Sequence, residues 1–280
     1  MLRILVSNDD GIDAFGIRTL VRFLSHMAEV YVVAPDKERS ASGQAITLGG
    51  KVTAHAVEMD GAVKAVALSG TPADCAKFGI DMMREAGTPP DFVIGGINHG
   101  GNAGIDINYS GTFAIANEGA LNGYRAIALS VTNRQATHFE FICEMIPELI
   151  DVAKKLQPGI ILNVNAPDLP KWQIKGVRYA EAGVCGFNNT FERVIEENHE
   201  GGNEESSNKP FEDGEYKYNG EITDGSVQPA NTDLNWLANR YATITPYKVN
   251  RVDNGMLAKL RGLSSDNTMC IIMDVQNHII

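Results

Sequence analysis

The chain has 280 residues, 44% hydrophobic and 21% charged, with a formal net charge of -11 at pH 7. That length supports one large core or two small ones. The acidic balance excludes a general nucleic-acid binder, whose affinity rests on Lys and Arg neutralising phosphates.

No apolar run approaches the roughly 20 residues of a membrane span, and Asn8, Asp9 and Asp10 follow the first apolar run too closely for a signal peptide. The four cysteines, Cys75, Cys143, Cys185 and Cys270, are scattered, with no Cys-x-x-Cys spacing. Buried free thiols are expected, with neither a zinc site nor a disulfide framework. The expectation is a cytoplasmic protein with no membrane partner.

The first elements alternate. Ile4-Leu5-Val6 reads as a strand, a helix follows with apolar residues at Ile17, Leu20, Val21, Leu24 and Met27, and Val30 to Ala34 is the next strand, completing a βαβ unit. Between 45 and 68 the period shortens toward two, through Val52, Ala54 and Val57 and then Val63, Val66 and Leu68, as expected for antiparallel hairpin strands. Thr71 as N-cap with Pro72 at the first helical position opens a helix through Met83. Phe92-Val93-Ile94 is a strand, Ser110 to Leu121 a helix of small residues, Ala126 to Ser130 a strand, Phe139 to Leu156 a helix and Ile160 to Val164 a strand. Such alternation builds an α/β fold, a mostly parallel sheet with helices on both faces.

From about Cys185 to Ala230 the composition shifts to Asn, Gly, Glu and Ser. The shift suggests a mobile loop or an extended arm, and its acidic run suits a solvated surface. Thr232-Asp233 caps a short helix, Tyr241 to Thr245 is strand-like, and Met256 to Leu260 is a short helix.

Open parallel sheets bind ligands beyond the carboxyl ends of their strands, and those ends are unusually polar here. They are Ser7-Asn8-Asp9-Asp10-Gly11, the run from Pro35 through Lys37, Arg39 and Ser40 to Gly43, the run from Gly95 through Asn98 and His99 to Asn102, and Ser130-Val131-Thr132-Asn133. Two adjacent carboxylates repel each other, and a divalent cation relieves the repulsion. Carboxylate, hydroxyl and amide oxygens suit magnesium or manganese better than zinc. The alternative is that Asp9-Asp10-Gly11 is only a turn with a helix cap.

The same aspartates exclude a Gly-x-Gly-x-x-Gly dinucleotide loop. They also differ from an Asp-x-Asp phosphatase motif, because neighbouring residues on an extended chain point apart. Ser110-Gly111-Thr112 at a helix start is either a phosphate cradle or ordinary capping. His99 and His138 are assigned no catalytic role, Lys37 and Arg39 either steer phosphate or, as the default for basic residues after a strand, lie on the surface, and Cys75 is packed.

Together these segments resemble the SurE family, the survival-protein acid phosphatases and nucleotidases. The resemblance rests on Ile4 to Ile12, Val33 to Gly43, Ser69-Gly70-Thr71-Pro72-Ala73-Asp74-Cys75, Gly96 to Gly104, Tyr109-Ser110-Gly111-Thr112 and Glu118-Gly119. It implies a single Rossmann-like domain over 1–280, with a core of about 1–170 and, over about 171–280, a C-terminal extension bearing a β-hairpin arm for oligomerisation.

It also implies one divalent cation per subunit, Mg2+ or Mn2+, held by Asp9, Asp10, Ser40 and Asn98, with Asp9 and Asp10 catalytic. Asn102, Ser110, Gly111 and Thr112 fall where the family binds phosphate. The implied substrates are nucleoside 5′- and 3′-monophosphates, cleaved to nucleoside and phosphate, with short polyphosphate as a further substrate. The implied assembly is a homodimer or homotetramer. This chain departs from the family pattern at Gly95-Gly96, in place of Ser-Gly, at Gln44, and in the long acidic segment after 170.

Phosphomonoester hydrolysis needs neutralised oxygens and a positioned nucleophile, and one ion supplies both. In-line attack by water is favoured over a covalent aspartyl-phosphate, which stays open, as does a non-catalytic module that holds a metal–nucleotide without turnover.

Overall fold

The computed structural model describes residues 1–184, 187–194, 215–222, 228–250 and 252–262. Most of the acidic run, 195–214, lies outside them, as do Cys185 and Cys270.

Six parallel strands form the centre of the sheet: β1 (Leu2–Ser7), β2 (Ala28–Pro35), β4 (Lys64–Leu68), β5 (Phe92–His99), β6 (Arg125–Val131) and β7 (Ile160–Ala166). Their spatial order is β4-β2-β1-β5-β6-β7. This is a doubly wound arrangement, and the chain reverses its winding between β1 and β5. The expected hairpin is present as β3 (Ala54–Val57) antiparallel to β4, and β4 also joins β2 in parallel.

Beyond β7 the sheet continues with β11 (Ala242–Lys248), antiparallel to β7, and then β8 (Val177–Tyr179), parallel to β11. The extension after residue 170 therefore contributes two strands to the same sheet. Pro246 is tolerated inside β11 for a simple reason. Ala242 N donates to Gly176 O on the β8 side, alternation turns position 246 to that side as well, and β8 ends before reaching it.

Two helices cover each face. α1 (Phe15–Leu24) and α4 (Glu140–Lys155) bury Ile17, Leu20, Leu24, Ile142, Ile146 and Leu149 in one cluster with β1, β2 and β6. On the other face lie α2 (Pro72–Glu85) and α3 (Gly111–Leu121). The sequence signal for α2 is met in full: Thr71 Oγ1 accepts from Asp74 N, and Asp74 Oδ2 accepts from Thr71 N, a capping box.

Residues 111–120 of α3 are all buried, as expected of a helix without a polar face. Glycines let it lie directly on β5: a Cβ at Gly119 would stand 2.5 Å from Val93 Cβ, and one at Gly95 would stand 2.4 Å from Thr112 O. Close seating of α3 brings its first turn against the end of β1.

The described part of the arm is a two-stranded antiparallel ribbon, β9 (Phe187–Arg193) with β10 (Tyr216–Ile222), separate from the main sheet. Phe191 and Tyr218 stack at 4.9 Å between ring centroids, and both are largely exposed. The remaining helices are α5 (Asp233–Ala238), capped by Thr232 as expected, and α6 (Asn254–Gly262). Among the described residues no helix is long and apolar enough to cross a membrane.

Candidate active site at the switch point

Asp9 and Asp10 follow β1 at the point where the winding reverses. The turn is held by Asn8 Nδ2 donating to Gly11 O at 2.9 Å, with Gly11 in the left-handed region at φ 101°. The two side chains diverge. Asp9 is buried, and its Oδ1 accepts from Thr112 Oγ1 at 2.6 Å. Asp10 is turned toward β5, where its Oδ2 accepts from His99 N at 3.1 Å and lies 3.1 Å from His99 Nδ1.

Burial raises the Asp9 carboxyl from its ordinary value of 3.8 to about 6; the Thr112 hydroxyl opposes this and the charge of Asp10 adds to it. Such a carboxylate gains much from a nearby cation, and among the described residues no ion pair forms to Asp9.

Asn98 is buried near the end of β5, and its Nδ2 donates to Gly100 O at 2.6 Å. That bond commits the nitrogen to the backbone and leaves Oδ1 as the atom of this side chain that could take a cation. The segment carrying Ser40 is tied to the same place, because Arg39 N donates to Asp9 O at 2.7 Å. Ser40 itself is exposed, with its Oγ donating to Glu38 Oε1. The Arg39 guanidinium turns away to Ser69 O and Asp36.

Of the phosphate-side residues, Ser110 acts as a cap, its Oγ accepting from Phe113 N. Gly111 is indispensable to the packing, since a Cβ there would stand 2.7 Å from Asp9 Cβ and 2.8 Å from Asp9 Oδ2. The first-turn N–H groups of α3 lack intrahelical acceptors and carry the positive end of the helix dipole, so an anion is favoured beside them. Asn102 is buried, with its Nδ2 donating to Ser130 Oγ at 2.8 Å.

The arrangement brings Asp9, Asp10, Asn98, Gly111 and Thr112 together and leaves the Ser40 hydroxyl at the rim. Among the described residues no three His, Cys, Asp or Glu are arranged so that they alone could hold a metal ion. The donors are therefore two carboxylates with amide and hydroxyl oxygens, a set that suits a hard divalent ion.

His99 has a place that its sequence context did not reveal: it braces Asp10 and packs edge-on against Phe139 at 5.2 Å. Its position five residues past Ile94 of the strand motif was the available signal, and pairing with Asp10 depends on two strands meeting. His138 pairs with Asp168 instead. Asp233 was expected only to start a helix. It is fully buried and accepts from Gly104 N and Gly183 N, both at 2.8 Å.

These features define a doubly wound α/β protein with its candidate ligand site at the topological switch point. A family model described as Survival protein SurE matches residues 4–189. Curated relatives named 5′-nucleotidase SurE include that of Synechococcus elongatus, 36% identical over 94% of this chain and 100% of its own length. That of Desulfatibacillum aliphaticivorans is 37% identical over 93% of this chain and 97% of its own. The crystal structure of the SurE protein from Aquifex aeolicus superposes with a TM-score of 0.75 at 29% identity, covering 93% of this chain and 99% of that one. The chain belongs to the SurE family.

Proposed function

We propose that this chain is a metal-dependent nucleotidase that cleaves nucleoside 5′- and 3′-monophosphates to nucleoside and phosphate, with short polyphosphate as a secondary substrate. The relatives' names support a phosphoric monoester hydrolase acting as a 5′-nucleotidase. The observation carrying the metal reading is the buried Asp9 carboxylate beside Asp10, braced only by neutral donors and facing the start of α3.

In this reading Asp9, Asp10, Asn98 and Ser40 hold one Mg2+ or Mn2+ per subunit. The ion supplies charge neutralisation to the phosphoryl oxygens. Ser110, Gly111 and Thr112 at the start of α3, with Asn102, bind the phosphate. His99 fixes the orientation of Asp10 through two contacts to Oδ2. A carboxylate of this pair accepts the proton of the attacking water. The exposed aromatic pair on β9 and β10 supports burial against a second subunit, in a homodimer or homotetramer.

The test is phosphate release from a panel of nucleoside 5′- and 3′-monophosphates, p-nitrophenyl phosphate and tripolyphosphate, with Mn2+, Mg2+ or EDTA. Metal-restored, EDTA-sensitive release from the nucleotides is expected. Nucleotide binding without release would instead establish a non-catalytic module.

A further inference from the structure

We propose that Asn165, assisted by Asn163 and Ser130, is a positioning residue that fixes the phosphate-side loop by holding the backbone of Asn102. The inference rests on the phosphate-binding reading of that loop.

The bonds converge on one residue. Asn102 N donates to Asn165 Oδ1 at 2.8 Å, Asn102 O accepts from Asn165 Nδ2 at 3.0 Å and from Asn163 Nδ2 at 2.8 Å, and Asn102 Nδ2 donates to Ser130 Oγ at 2.8 Å. Asn163, Asn165 and Ser130 are each fully buried.

Strand register puts the three anchoring groups on one face of the sheet: Ser130 pairs with Asn165, and Ala128 with Asn163. Lower on that face the same strands present Ala126, Ala128 and Ile161 to α3. A sheet face that only had to pack would continue apolar, because each buried amide costs free energy unless it is bonded. Here the Asn165 amide uses both its oxygen and its nitrogen on the main chain of Asn102 and Asn163 uses its nitrogen, its Oδ1 having no partner among the described residues, in the way a strand ladder would otherwise serve that backbone. The loop runs from Asn98, a proposed ion ligand, to Asn102, a proposed phosphate ligand. Gly100 N donates to Val131 O at 2.8 Å and secures its middle on β6. The Asn98 end is therefore held by strand β5 and Gly100, and the Asn102 end by side chains of β6 and β7.

That division predicts different losses for the ion and for phosphate. Removing the Asn165 amide lets the Asn102 end drift while Asn98 keeps its own anchor, and small misplacements in such sites cost one to two orders of magnitude. Inorganic phosphate binding, measured by calorimetry at saturating Mn2+, should weaken about tenfold in Asn165→Ala. The KM for AMP should rise by a similar factor and kcat by much less, while the Kd for Mn2+ stays within about threefold of wild type. Ser130→Ala, a gentler change, should weaken phosphate binding about threefold. Thr243→Val is the control: it lies opposite Asn165 on the same buried face, and its hydroxyl has no partner among the described residues. It should leave phosphate binding and KM unchanged.

Hydrogen exchange gives a readout independent of turnover, and the amide of Asn102 should lose protection in Asn165→Ala. Unchanged phosphate affinity in both Asn165→Ala and Ser130→Ala, or an equal loss in Thr243→Val, would overturn the proposal. If Asn165→Ala fails to fold, Ser130→Ala against Thr243→Val decides it. A wild-type protein that releases phosphate from AMP while its variants keep normal KM values refutes the positioning role alone. A wild-type protein that neither binds nor releases phosphate refutes the reading of the site, and this inference with it.

Discussion

Replacing Asp9 by Asn should abolish turnover and, in the metal-free protein, raise stability. The Asp9 carboxyl goes from 3.8 to about 6 on folding, chiefly through burial. Below about pH 4 both folded and unfolded chains hold the proton, and no penalty exists. As pH rises through the interval to 6 the unfolded chain releases its proton first, so folding loses stability, and above 6 the loss is constant. At about 1.4 kcal/mol per pKa unit the full penalty is about 3 kcal/mol at pH 7.5 and about half of that at pH 5.

Asparagine removes the charge, and its carbonyl oxygen can still accept from Thr112 Oγ1. Its extra N–H groups need acceptors at a cost of about 1 kcal/mol, leaving a net gain of about 1–2 kcal/mol at pH 7.5. Urea denaturation in EDTA, at pH 5 and 7.5, reads the difference. The gain should shrink markedly at pH 5. A gain of equal size at both values, or a destabilised variant at pH 7.5, would show that the buried charge is not what strains this site.

Added Mn2+ should raise the Tm of the wild-type protein by mass action and that of Asp9→Asn or Asp10→Asn much less; equal shifts would place the ion elsewhere. Gly111→Ala should reduce kcat/KM for AMP by more than about a hundredfold, because its Cβ displaces Asp9; near-normal activity would mean that α3 can shift without cost. Deleting residues 188–220 should weaken the oligomer in sedimentation while leaving Mn2+ binding intact, since every proposed ion ligand precedes residue 100; an unchanged oligomer would reduce the arm to a surface loop.

Much of the sheet was legible because βαβ alternation and capping chemistry are local signals. Thr71, Pro72 and Asp74 specify their helix start within four residues, and the structure reproduces the capping box. The divergence of Asp9 and Asp10 was also legible, as neighbours on an extended chain. What each one meets was not. The partners lie far away in sequence, Thr112 at a separation of 103 residues and His99 at 89, and only the strand order brings them close. β8 escaped notice because three residues carry no measurable period, and the short 3-10 helix Gly104–Tyr109 lay in a glycine-rich stretch that reads as turns. The part of the arm beyond its two described strands, 195–214, falls outside the described residues.

The division into a catalytic N-terminal core and a C-terminal extension is less clean than the motifs suggest. Every proposed ligand lies before residue 113, yet the loop behind them is held from the far end of the chain. Asp233 accepts from Gly104 N, two residues past Asn102, and from Gly183 N near the base of the arm. A buried carboxylate that bonds backbone N–H groups from two distant loops ties both, because releasing either one takes a donor from a buried charge. β11 adds to this by pairing Thr243 with Asn165 and Thr245 with Asn163, so the strand carrying the Asn102 anchors is itself flanked by the extension. Oligomerisation through the arm would then bear on the loop that carries Asn102 through Gly183 and Asp233, whereas the carboxylates at the end of β1 are held by the segment after β2, by β5 and by α3. Loss of the arm and loss of the extension are accordingly different perturbations: the first leaves Asp233 and β11 in place, and the second removes the carboxylate that holds Gly104 and the strand that flanks Asn163 and Asn165, while sparing the neighbours of Asp9.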